Sequence, residues 1–185
     1  MISLDSAASA PTFDHPLEML HACHGKILRQ CDTLQKLAAH LAQHGCDTQA
    51  RQAAQGILRY FDTAGQFHHQ DEEENLFPSL RAGDSAPQLD ALLQRLLGEH
   101  VVMLAAWAEL RDMLRQLAEG ANVPLSDALL ARFIRSYREH IALEEAELLP
   151  LAARLLNAAQ TRQIGMSMAA RRGASFPAPH QPPTS

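Results

Sequence analysis

Two stretches of the chain repeat one arrangement of ligand-type side chains: His68-His-Gln-Asp-Glu72-Glu73-Glu-Asn-Leu76-Phe-Pro78 and His140-Ile-Ala-Leu-Glu144-Glu145-Ala-Glu-Leu148-Leu-Pro150. Both read His-x-x-x-Glu-Glu-x-x-Leu-apolar-Pro. A histidine and a glutamate four residues apart lie on one helix face about a turn apart, so an imidazole nitrogen and a carboxylate oxygen converge on one point. Twice over, this spacing predicts a two-fold metal site.

Such residues need helices to carry them, and the composition supplies helices. The chain has 185 residues, rich in Ala and Leu, with only 9 glycines and 10 prolines, which predicts an all-α fold. The expected architecture is an up-down-up-down four-helix bundle over residues 14–156. A flexible leader (1–13) precedes it, and a short C-terminal helix (157–172) and a disordered Pro-rich tail (173–185) follow.

The first helix is expected from Asp14, as cap, with Pro16 in its first turn, to Gly45. The second runs from Thr48 until Pro78 and the loop after it end the helix. The third extends from Pro87 to Gly120. The fourth starts at Ser126, and Pro150 kinks rather than ends it.

In each helix an apolar stripe recurs at steps of three and four, and in each stripe one position is a histidine: His24, His68, His100 and His140. Glu72 and Glu144 join the same stripes. Burying these groups unpaired would cost roughly a few kcal/mol apiece, so something must satisfy them together, and a metal does so directly. Imidazoles and carboxylates without thiolate suit iron, manganese or zinc, and two carboxylates able to bridge favour a dinuclear centre. Ferritin-like di-iron proteins rely mainly on Glu, with Glu-x-x-His pairs. The excess of His here argues instead for a site that binds a small diatomic ligand at an open position.

With His24, His68-x-x-x-Glu72, His100 and His140-x-x-x-Glu144 in place, the chain resembles the hemerythrin-like, or HHE cation-binding, domain family over about residues 14–155. The resemblance implies a four-helix bundle around two iron ions bridged by an oxo or hydroxo group, with zinc or manganese as substitutes. The histidines would be terminal ligands and Glu72 and Glu144 the bridges. The oxygen-carrying members place a second His four residues after the third-helix His. Here that position is Leu104, which predicts a missing ligand. His69, Glu73 and Glu145 are candidate replacements or neighbours of the ligands, and Tyr137, one turn before His140, is a candidate partner for a bound small molecule. The counterpart of His69 in the second repeat is Ile141, which cannot bind metal.

The rest of the sequence narrows the function. A net charge of -5 without a basic cluster gives no nucleic-acid surface. The N-terminus has no signal-peptide pattern, and no apolar run is long enough for a membrane span. Cys23, Cys31 and Cys46, odd in number and without C-x-x-C spacing, point to a reducing cytoplasm. The expectation is a cytoplasmic metal-binding protein, a monomer or homodimer. It would bind or sense dioxygen, nitric oxide, a peroxide or iron, rather than act as an enzyme. Two alternatives stand beside it: a di-iron peroxidase or oxidase of stress defence, and a metal-loaded regulatory module whose terminal helix and tail meet a protein partner.

Overall fold

The computed structural model describes residues 11–83 and 86–176, and every regular element among them is helical. The first helix, α1 (Pro16–His44), starts with Pro at its first turn and ends at Gly45, whose φ of 68° suits only glycine. His15 rather than Asp14 holds the N-cap position, and no side chain caps the helix there. The fixed φ of Pro16 starts the helix without such a bond.

The second arm is one rod built of four pieces: α2 (Thr48–Phe61), α3 (Ala64–Gln70), a π-helical segment π1 (Asp71–Leu76), and α4 (Phe77–Gly83). Asp47 caps α2 through the Ala50 N–H at 2.8 Å. The interruption at Asp62 lets that carboxylate accept from Trp107 Nε1 at 3.1 Å and Arg111 Nε at 2.7 Å, tying the rod to the next helix.

Pro78 does not end this rod, contrary to the expectation from sequence. Proline has no N–H, and in an α-helix its ring collides with the carbonyl four residues back. The π segment widens the turn just before it, with the Phe77 N–H bonded to the Glu72 carbonyl five residues back. The helix then continues to Gly83. The second repeat does the same. After α5 (Pro87–Ala118) and α6 (Asp127–Leu143) comes π2 (Glu144–Leu148), in which the Leu149 N–H bonds the Glu144 carbonyl, and α7 (Leu149–Leu155) carries Pro150 in its first turn. The shared Glu-Glu-x-x-Leu-apolar-Pro is therefore the sequence of a π-bulge.

The four rods pack in chain order around a square, the first against the last, which is the up-down-up-down topology. Their interior divides into two apolar clusters. One gathers Ile27, Ile57, Phe61, Met103, Trp107, Phe133 and Tyr137. The other gathers Leu20, Leu76, Phe77, Leu96, Leu148, Ile164 and Met168. Between them runs a polar layer, since His24 lies between Leu20 and Ile27, His100 between Leu96 and Met103, and His140 and Glu144 between Tyr137 and Leu148.

The last helix, α8 (Ala158–Arg171), opens with a reciprocal Asn157/Gln160 capping box and buries Ile164 and Met168 in the second cluster. A Cβ on Gly165 would stand 2.0 Å from the Phe13 carbonyl oxygen, so glycine is required for the leader to lie against α8. Of the stretch expected to be disordered, Phe176 packs under the Arg162 guanidinium at 4.9 Å, whereas residues 177–185 lie outside the described residues, as do 1–10 of the leader. No helix among the described residues is long and apolar enough to cross a membrane.

Candidate metal centre

All four stripe histidines and both glutamates of the repeats are buried in the polar layer. Two sets of ligand atoms converge there, His24, His68, Glu72 and Glu144 in one and Glu72, His100, His140 and Glu144 in the other. Within each set the atoms lie within 4.8 Å of one another. Ligands about 2.0–2.2 Å from a common ion stand at such separations.

The two carboxylates serve both sets. Glu72 turns Oε1 toward His68 Nε2 at 3.3 Å and Oε2 toward His100 Nε2 at 3.4 Å. Glu144 turns Oε2 toward His24 Nε2 at 3.0 Å and Oε1 toward His140 Nε2 at 3.2 Å. None of these four approaches has hydrogen-bond alignment, and all four carboxylate oxygens, with His24 Nε2 and both nitrogens of His68, are buried without a hydrogen-bond partner. Close donors and acceptors that do not point at one another point instead at shared centres. That is the arrangement of metal ligands, and the residues fit an ion at each centre.

The outer nitrogens fix the tautomers. His24 Nδ1 meets Glu145 at 2.5 Å, His100 Nδ1 meets Glu73 at 2.6 Å, and His140 Nδ1 meets Glu99 at 2.9 Å. A carboxylate oxygen accepts, so each Nδ1 carries the hydrogen and each Nε2 turns its lone pair inward, the carboxylate–histidine–metal pattern. His100 and His140 then bring two Nε2 atoms to 3.1 Å, a distance two bare lone pairs do not tolerate without a proton or a cation between them.

The charge of the protein's own groups follows the same geometry. Burial, then the charge of Glu144, pushes Glu72 well above the usual carboxylate range. Burial also opposes charge on Glu144, but the close imidazoles of His140 and His24 outweigh it and hold that carboxyl well below the usual range. Burial and the nearby charge of His24 press His68 well below the ordinary imidazole value. For His140 and His24 burial is outweighed by Glu144 and by their outer carboxylates, and both are raised.

Glu73 and Glu145 thus face Nδ1 atoms rather than the two buried ligand sets, and Glu145 gathers with His24 and His21 in a third, partly exposed group. Glu99, which also supports a ligand, carries no signal in the sequence that sets it apart, since a glutamate four residues after Arg95 has the spacing of an ordinary surface ion pair. That pair exists, at 2.9 Å, while the other Glu99 oxygen reaches His140. His21, one turn before His24, shares Glu145 at 2.7 Å on the rim. Tyr137 packs its ring on Phe133 at 5.0 Å and Phe61 at 5.5 Å, inside the first apolar cluster.

Leu104, where the sequence lacks a second third-helix His, does not face the ligand sets. Leu104 is 44% exposed, and the inward position after His100 belongs to Met103. The ring beside His100 is His69, stacked at 4.1 Å between centroids.

A helical bundle with a buried His/carboxylate layer of this kind defines a class of cation-binding proteins. The model of the hemerythrin HHE cation-binding domain matches residues 15–152, and the chain belongs to that family. A relative, an uncharacterised protein of Haemophilus influenzae, is 35% identical over 161 residues, covering 87% of this chain and 92% of its own.

Proposed function

We propose that the chain is a cytoplasmic non-haem di-iron protein that binds or senses a small molecule, dioxygen, nitric oxide or a peroxide, or iron itself. The observation that carries this reading is the division of Glu72 and Glu144, each turning one oxygen to either set of histidines. His24, His68, His100 and His140 would be the terminal ligands and the two glutamates the bridges. Iron, when bound, supplies a redox couple and an electrophilic centre. The chain's own residues hold two imidazole lone pairs at each centre, exclude bulk water with the flanking apolar clusters, and orient the rings through Glu145, Glu73 and Glu99. The free thiols of Cys23, Cys31 and Cys46 support a reducing compartment.

Anaerobic loading with ferrous iron followed by air is expected to give two irons per chain and ligand-to-metal absorption in the near ultraviolet and visible. A colourless protein that retains only zinc would overturn the di-iron assignment.

A second reading has one observation behind it. Asp71, adjacent to Glu72 and fully buried, is held by Arg171 and, at 2.6 Å, by Arg172 at the end of α8. Metal loading at Glu72 and docking of α8 share one turn of π1, as a metal-dependent interaction module would require. Metal-dependent protection of the α8 junction from protease favours this reading.

A further inference from the structure

His69 is buried, at 5% exposure, and neither of its ring nitrogens has a hydrogen-bond partner. It belongs to neither converging set of ligand atoms. Its ring lies between His100, stacked at 4.1 Å and 13°, and Tyr137, near parallel at 5.9 Å, with His140 at 6.4 Å. An imidazole carries at least one N–H whether neutral or charged, so His69 brings a hydrogen-bond donor into the interior. An interior donor left without an acceptor is unfavourable, so natural structures supply one from protein, water or ligand.

Packing does not demand a histidine here. The matching position of the second repeat is Ile141, buried in the apolar cluster, so the bundle accepts a hydrocarbon at this register. The polar group is present on one side only, beside the His100/His140 centre. At that centre the chain offers two imidazoles and one oxygen from each glutamate, four ligands, so a six-coordinate ion keeps open positions.

We propose that His69 is a hydrogen-bond donor to a small anionic or diatomic molecule bound at the open position of the ion held by His100 and His140, and is not itself a ligand. This rests on the di-iron reading above. It makes the two centres chemically unequal, with this hydrogen-bond donor beside the ion held by His100 and His140.

The test uses azide on the air-oxidised, iron-loaded full chain, comparing wild type with H69F and H69Q. Azide affinity is read from its charge-transfer absorption, and hydrogen bonding from the shift of the azide stretching band in heavy water. The proposal expects H69F to keep two irons, bind azide at least about tenfold more weakly and lose the heavy-water shift, with H69Q, which keeps a donor, recovering part of both. Should H69F fail to fold, H69L stands in its place. Unchanged azide affinity and shift in the apolar variant overturn the proposal. Loss of one iron in both the apolar and Gln variants overturns it in favour of a ligand role. Wild type with two irons and no azide band overturns it alone, whereas wild type that holds no iron overturns the di-iron reading and this proposal together.

Discussion

Glu72 and Glu144 divide their oxygens in the same way, each facing one histidine of either set at 3.0 to 3.4 Å. Neither centre is complete without both residues. The double variant E72Q/E144Q keeps the shape of the side chains but replaces one oxygen of each by an amide nitrogen with no lone pair to give. Metal content is expected to fall from two ions per chain to one or none by elemental analysis, with helicity retained. Two ions bound by the double variant would remove the glutamates from the bridge.

Glu99 reaches His140 Nδ1 at 2.9 Å from the neighbouring helix and is a member of neither ligand set. Its substitution E99Q therefore tests orientation alone. Metal affinity is expected to drop about 10–100-fold with stoichiometry unchanged, the range found when an outer partner of a ligating histidine is removed. Competition with a chelator of known affinity measures it, and affinity within twofold of wild type would deny Glu99 this role.

Leu104→His probes the same centre from the opposite direction. Because Leu104 is 44% exposed, an imidazole there faces solvent, and metal stoichiometry and affinity are expected to stay at the wild-type level in the same chelator assay. A third strongly bound ion or a tighter centre would show that the side chain turns inward.

The pH dependence of metal binding follows from which groups hold protons beforehand. Glu72 is raised by burial and by Glu144. His24 and His140 are raised because Glu144 and their outer carboxylates outweigh burial. An ion requires all three deprotonated on the atoms facing it, so binding releases protons. Affinity is then weakest below the raised values and grows as pH rises through them, by up to about tenfold per pH unit for each proton released. Calorimetric titration in buffers of different ionisation enthalpy counts the protons, and a count of zero contradicts the assignment.

Asp71 is fully buried, and Arg171 and Arg172 neutralise it from α8. Removing both guanidiniums in R171A/R172A leaves a buried carboxylate unpaired, a loss of about 3–5 kcal/mol in chemical denaturation. D71N in the same background removes the stranded charge and is expected to restore part of that loss. Equal stability of wild type and R171A/R172A would mean that α8 docks by its apolar face alone.

Much of this was legible in the chain because it is local. The i, i+4 spacing of His68 with Glu72 and of His140 with Glu144 requires only a helix to bring each pair to one side. The stripe positions of His24 and His100 require only that the apolar face be buried. The repeat itself, down to its proline, encoded the π-bulge, but the pattern reads equally as a helix end. Only backbone hydrogen bonding from Phe77 to Glu72 distinguishes the two.

What the tertiary structure decided are relations between elements. Which carboxylate stands behind which ring depends on the rotation of neighbouring rods. Glu99, one residue from His100 and four from Arg95, could not be assigned to His140 on another helix until the α5–α6 packing was known. The same rotation turns Leu104 outward and Met103 inward, and lays His69 on His100. Sequence determined the ligand types and the faces they occupy, since those follow from helical periodicity. The arrangement around them was set by interhelical packing, which periodicity along one helix does not contain.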